Sequence, residues 1–242
     1  MSYRVAGEGF PLLLLGGLSQ WADQWWDVGY GDLLADRFRL IAVDRLGHGA
    51  SDKPHECELY DERLIVNDLV AVLDAERVER ALVWGFSLGA KNAASLAAIH
   101  GERVAAMVSG SVPALTRPEQ SGERLRQLAA VCASREGIIE TWQSYGLSES
   151  AVEEALERND LQALVATALG TSSWWPNLEA ITAPALWYIG TAEGGFYDEE
   201  VAYASAHDVV TYEVEGASHW ATFSRAEEVS ALVKPFLLRS AH

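Results

Sequence analysis

Seven short apolar runs, separated by longer stretches with helical spacing, constrain this chain more than any other feature. They lie near Tyr3 to Val5, Leu12 to Leu15, Leu40 to Val43, Ala81 to Trp84, Val104 to Val108, Ala185 to Ile189 and Val209 to Val214. Strands buried on both faces read as continuous Leu/Val/Ile runs, and their alternation with helices is the pattern of a parallel sheet. Arg63 to Asp74 puts Ile65, Leu69, Val72 and Leu73 on one stripe, with Arg63, Asn67 and Asp74 opposite. Ser87 to His100 is small and apolar nearly all round, as suits a helix laid on a sheet, and Arg225 to Leu238 is amphipathic. The expected fold is therefore α/β: a mostly parallel sheet of about seven strands flanked by helices.

One segment interrupts the alternation. Residues 114–178 contain no good strand run, whereas Leu125, Leu128, Ala129 and Cys132, then Val152, Ala155, Leu156 and Leu161, recur at helical spacing. This reads as a helical insertion into a core formed by residues 1–113 and 179–242.

Composition excludes several classes of function. A net charge of −17 over 242 residues repels phosphate backbones and anionic bilayers, so neither nucleic acid nor a membrane is expected as a partner. The run from Pro11 to Leu15 is too short to span a bilayer, and no basic cluster precedes it as in a secretory signal. Two cysteines, Cys57 and Cys132, are too few for a disulfide framework or a structural zinc site. These features point to a soluble, cytoplasmic protein acting on a small molecule. With no phosphate-binding loop, dinucleotide fingerprint or His-Glu-x-x-His helix, no cofactor and no metal are expected. The sequence leaves the oligomeric state open.

The chemistry is concentrated at Trp84-Gly85-Phe86-Ser87-Leu88-Gly89, where a buried strand runs into Gly-x-Ser-x-Gly and then a helix. A serine at such a sharp turn needs small residues two positions away on either side, so that the backbones can pass while Oγ points outward. The helix that follows favours negative charge developing at its N-terminus.

Together with this turn, Gly7-Glu-Gly9-Phe-Pro11 and Gly16-Gly17-Leu18, the segment Asp44-Arg-Leu-Gly47-His-Gly49-Ala-Ser51, and His100-Gly-Glu102-Arg103-Val104 fall in the order found in α/β-hydrolases. From Tyr3 to Leu238 the chain resembles that family. The resemblance implies a nucleophile elbow at Ser87 and a triad in the order serine, acid, histidine. It makes His219, in Gly216-Ala-Ser-His219-Trp220, the base, and leaves His48, His55, His100, His207 and His242 to surface or packing roles. It places a carboxylate after the run Ala185 to Ile189, where Glu193 stands at a position usually held by Asp. Asp198 is the alternative, and Asp208 should lie at the opposite end of the sheet. The backbone N–H groups of Leu18 and Leu88 form the implied oxyanion hole. The family often has His-Gly where this chain has Gly16-Gly17, and often a further strand before Tyr3, so a sheet one strand short is expected.

The insertion stands where the family carries its cap, which would cover the serine. Trp21, Trp142, Trp174 and Trp220 are the candidate substrate-binding residues, with Trp25, Trp26 and Trp175 as further possibilities. With Ser rather than Asp at position 87, the resemblance implies acyl transfer to water, by a carboxylesterase or lactonase, over haloalkane or epoxide chemistry. Carbon-carbon bond hydrolases, cofactor-free haloperoxidase-like enzymes and triad-bearing small-molecule receptors remain as alternatives.

Overall fold

The computed structural model describes residues 1–111, 118–172, 174–193, 197–207 and 209–241. Its centre is a seven-stranded sheet built from β1 (Ser2–Ala6), β2 (Phe10–Leu15), β3 (Phe38–Asp44), β4 (Ala81–Phe86), β5 (Val104–Gly110), β6 (Ala185–Gly190) and β7 (Val210–Val214). The spatial order is β1-β3-β2-β4-β5-β6-β7, with β1 antiparallel to β3 and every other pairing parallel. This is the fold class expected from the sequence.

The apolar runs form strands because the sheet is buried on both sides. Leu12 and Leu14 pack into one core with Trp84 and Val108, while Leu13 and Leu15 pack into the other with Ile41 and Val83. The first core is covered by the short helices α1 (Gln24–Asp27) and α2 (Tyr30–Leu34). The second lies under α3 (Glu62–Ala75) and α4 (Leu88–Ile99). An aromatic cluster fills the first core: the Trp25, Tyr30, Trp84 and Phe223 rings meet at centroid distances of 5.1 to 5.6 Å, and Tyr188 lies 6.1 Å from Trp84. Such edge-to-face pairs add specific attraction to the burial of large apolar surfaces.

Between β5 and β6 run α5 (Pro118–Cys132), α6 (Arg135–Ser144), α7 (Glu149–Arg158) and α8 (Leu161–Thr171). Ser134, Ser148 and Asp160 cap the last three, accepting from the N–H of Gly137, Ala151 and Ala163. These helices share a small core of Cys132, Ile138, Trp142, Val152 and Leu164, against which Leu18 packs. The chain ends with α9 (Tyr197–Ala206), α10 (His219–Ser224) and α11 (Ala226–Ser240).

The topology positions the site. β3 lies on one side of β2 and β4 on the other, so the connections reverse direction at β2. Open parallel sheets bind ligands in the crevice beyond the carboxyl ends of their strands at such a reversal. Gly16 to Ser19 follow β2 and Ser87 follows β4, so both stand at that crevice.

Candidate active site

Ser87 occupies the turn between β4 and α4 with φ 53° and ψ −119°. A non-glycine residue in this region costs about 1–3 kcal/mol, and the surrounding backbone must impose it. Here the Ser87 N–H donates to the Gly110 carbonyl at 2.8 Å, and the Ser87 carbonyl accepts from Ala90 N–H at 2.9 Å. The flanking glycines are sterically required: a Cβ at Gly85 would sit 2.1 Å from the Gly89 carbonyl oxygen, and one at Gly89 2.1 Å from that of Leu15.

His219 begins α10, and its Nε2 lies 3.0 Å from Ser87 Oγ. Its ring is flanked by Phe86 at 5.1 Å and Tyr145 at 5.5 Å. The helical insertion also holds this loop, because the Tyr145 carbonyl accepts from Trp220 N–H at 3.2 Å and from Ser218 Oγ at 3.1 Å.

Glu193 stands beyond β6, with Oε2 2.8 Å from His219 Nδ1. Its other oxygen, Oε1, accepts from Ser111 Oγ at 2.6 Å, Thr222 Oγ1 at 2.8 Å and Gly190 N–H at 2.9 Å. Burial pushes this carboxyl up, but the His219 imidazole, the Ser111 hydroxyl and the Gly190 N–H outweigh it and hold it below its ordinary range. The carboxylate therefore fixes His219 with Nδ1 protonated and the Nε2 lone pair turned toward Ser87. The longer Glu fits because its loop is tied back: Thr191 N–H donates to Val214 O and Ala192 N–H to Ala217 O, both at 3.1 Å.

The loop after β2 is held from below. Arg45, itself buried, donates to the Gly17 carbonyl at 2.8 Å and to Asn92 Oδ1 at 3.0 Å. Asn92 donates to Glu62 at 2.7 Å, and Glu62 pairs with Lys91 at 2.6 Å with both side chains fully buried. Lys91 also donates to the Thr171 carbonyl at 2.9 Å, which fastens the end of α8 to the core. Burial pushes Glu62 up, yet Lys91, Thr171 and Asn92 hold it below the usual carboxylate range. Among the described residues, no group of the chain accepts from the Leu18 or Leu88 N–H, so both donors remain free for an oxyanion.

The structure brings Ser87, His219 and Glu193 into one hydrogen-bonded line. Asp198 is exposed on α9, and Asp208 and His242 lie outside the described residues. His48 is fully buried; burial and the Arg45 charge pull its pKa well below the ordinary value, so the ring stays neutral. His55 pairs with Asp160 at 3.0 Å, His100 with Asn67 at 3.0 Å, and His207 Nδ1 donates to the Tyr203 carbonyl at 2.8 Å.

A cavity of about 70 Å³ opens at Ser87, walled by Phe86, Leu128, Trp142, Tyr145, Leu147, Ala155 and Trp220, with Gly17, Leu18, Ser19, Gln20 and Gln24 at the β2 loop. Trp142 and Trp220 thus stand on its wall. Trp21 does not, because it is buried beneath the Arg158 guanidinium, 4.9 Å from its ring centroid. Trp174 is also absent from the wall, Trp25 belongs to the aromatic core, Trp26 lies under Arg4, and Trp175 lies under Lys91. Tyr145, Leu147, Gln20, Gln24, Ser111 and Thr222 escaped the sequence reading, and Leu128 entered it only for its helical spacing. A larger cavity of about 540 Å³, near the amino ends of β6 and β7, contains Trp187, Tyr203 and His207 but neither Ser87 nor His219.

Among the described residues, no helix is long and apolar enough to cross a membrane, and no cluster of three or more His, Cys, Asp or Glu side chains could hold a metal.

The family model for the alpha/beta hydrolase fold matches residues 11–133. The chain belongs to that family. It is 37% identical over 105 residues to a 2-hydroxymuconate semialdehyde hydrolase of Pseudomonas sp. (strain CF600), covering 43% of this chain and 36% of the relative. It is 37% identical over 117 residues to epoxide hydrolase A of Mycobacterium tuberculosis, covering 47% of this chain and 36% of the relative. The aligned parts thus span about a third of the length of these curated relatives. A carboxylesterase structure from Nitrososphaera gargenis superposes with a TM-score of 0.78 at 18% identity, covering 99% of this chain and 94% of that one, a likeness of fold.

Proposed function

We propose that this protein is a serine hydrolase that cleaves a small, uncharged carboxylic ester or lactone through an acyl-enzyme. The observation that carries the reading is the unbroken line from Ser87 Oγ to His219 Nε2 at 3.0 Å and from His219 Nδ1 to Glu193 Oε2 at 2.8 Å. A serine hydroxyl is a poor nucleophile until a base takes its proton and a third group orients that base. Ser87 Oγ attacks the carbonyl carbon while its proton passes to His219 Nε2. The oxyanion forms beside the Leu18 and Leu88 N–H groups. Collapse of the tetrahedral intermediate expels the alkoxide, which takes the proton back from His219. Water then repeats the sequence, displacing the acyl group as a carboxylic acid and restoring the Ser87 hydroxyl.

The cavity supports a short, neutral substrate. Its described lining carries no Lys, Arg, Asp or Glu, so an anion there would lose water without gaining a counter-charge. Relatives bearing epoxide hydrolase names leave the substrate class open, but a base-activated hydroxyl beside free backbone donors is matched to a carbonyl.

The test is a series of p-nitrophenyl esters from acetate to octanoate, run on wild type and Ser87→Ala. Turnover should peak at the short acyl chains and fall to the uncatalysed background in Ser87→Ala. Equal turnover by both proteins, or none by wild type on any ester or small lactone, would overturn the proposal.

A further inference from the structure

The wall of the catalytic cavity holds two glutamine amides that the triad does not use. Gln20 is 9% exposed and Gln24 6%. Gln20 spends its oxygen on the oxyanion loop, since Oε1 accepts from Gly17 N–H. Its Nε2 is buried and finds no partner among the described residues, and neither does the buried Oε1 of Gln24. Both residues line the cavity that contains Ser87 and His219. Buried polar groups left unpaired are rare because each loses its hydration without compensation. Turning the Gln24 amide over exchanges an unpaired oxygen for an unpaired NH₂ group, so the surplus persists in either orientation.

We propose that Gln20 and Gln24 form a polar subsite that selects substrates carrying a hydroxyl or a carboxamide close to the reacting carbonyl. Gln20 Nε2 can only donate and Gln24 Oε1 can only accept. A single neutral group that both accepts and donates satisfies the pair, and a hydroxyl and a primary amide are the compact groups with that property. A carboxylate would need the Gln24 amide turned over, and would then lie in the cavity with no Lys or Arg in the described lining to offset its charge. An ammonium would satisfy Gln24 alone. An alkyl group would fill the space and leave both amides unpaired, which is how a site built to hydrogen-bond a substrate rejects the analogue lacking that group. The inference rests on the proposed function only in taking this cavity as the substrate site.

Binding to Ser87→Ala, followed through the fluorescence of Trp142 and Trp220 on the cavity wall, tests the subsite without requiring turnover. The probes are ethyl 3-hydroxybutyrate, ethyl malonamate and ethyl 3-methylbutyrate, which place a hydroxyl, a carboxamide or a methyl group at similar distances from the ester. At least one polar ester should bind about 10- to 100-fold more tightly than the methyl analogue. Adding Gln24→Met should bring that ratio to within about threefold of one, whereas a purely structural role for Gln24 would weaken all three ligands equally and leave the ratio unchanged. Should Gln24→Met fail to fold, the ratio in Ser87→Ala alone decides. Equal affinity for all three esters, or tighter binding of the methyl analogue, overturns the subsite. Turnover of the same esters by wild type separates the two ideas: a preserved binding ratio without Ser87-dependent hydrolysis removes the esterase reading and keeps the subsite.

Discussion

Replacing Glu193 by Gln should disable His219 without disturbing the fold, and the hydrogen bonds around the carboxylate show why. Oε1 is held by Ser111, Thr222 and Gly190, all donors, so a Gln at this position keeps its carbonyl oxygen there and turns its NH₂ toward His219. An NH₂ group facing Nδ1 favours the tautomer with the proton on Nε2, the nitrogen 3.0 Å from Ser87 Oγ. That nitrogen then cannot accept the serine proton. The variant loses a hydrogen bond to a charged group, about 1.5–3 kcal/mol, and the productive tautomer now sets two donors against each other at a similar cost of about 1–3 kcal/mol. At about 1.4 kcal/mol per tenfold, kcat should fall about 10²- to 10⁴-fold while KM stays within about threefold. Steady-state hydrolysis of p-nitrophenyl butyrate gives both parameters, and thermal melting checks the fold. Glu193→Asp, one methylene shorter, cannot reach His219 and the three donors together and should fall between wild type and Gln. Asp198→Asn, exposed on α9, should match wild type. A folded Glu193→Gln with kcat within about threefold of wild type would refute the orienting role.

Three further outcomes follow from the buried polar groups. Lys91→Met should destabilise the fold by about 3–5 kcal/mol in urea unfolding, because it strands the fully buried Glu62 carboxylate; a loss under about 1 kcal/mol would contradict the pairing. His48 has a folded pKa well below its unfolded value of about 6.5, so its contribution is fully present above pH 6.5 and declines as pH falls toward the folded value. Stability should therefore fall as the pH drops below about 6.5, and urea titrations of His48→Gln should lack that share of the slope; identical slopes would show that the ring is not buried neutral. Burial pushes the Cys132 thiol up to about 12, so iodoacetamide at pH 8 should alkylate the half-buried Cys57 and spare Cys132 until the protein is denatured; native labelling of Cys132, read by peptide mass, would contradict its burial.

The parallel strands were legible because both their faces are apolar, as Leu12 to Leu15 illustrate by dividing alternately between two cores. Strand ends were less so: β5 continues beyond Val108 through Ser109 and Gly110, where small polar residues break the apolar signal while the pairing with β6 persists. A local turn motif marked Ser87, and the family resemblance pointed to His219 and Glu193, which the structure places within hydrogen-bonding distance in one line. Ser111 and Thr222 carried no comparable mark, since a hydroxyl that supports a carboxylate from another loop has no spacing to betray it. Among the tryptophans, Trp142 faces the cavity and Trp21 does not. An aromatic side chain has the same character on a core face as on a ligand face, so that distinction required the packing of the helices between β5 and β6.

Covalent capture tests whether Ser87 is a base-activated nucleophile. A fluorophosphonate reacts with a hydroxyl whose proton is taken by a neighbouring imidazole and whose developing charge meets backbone donors. Intact-mass analysis of wild type and Ser87→Ala after such treatment, with peptide mapping of the adduct, should show one stoichiometric addition on Ser87 in wild type and none in the variant. Equal addition to both proteins, or no addition to folded wild type, would contradict the assignment of Ser87 as the nucleophile.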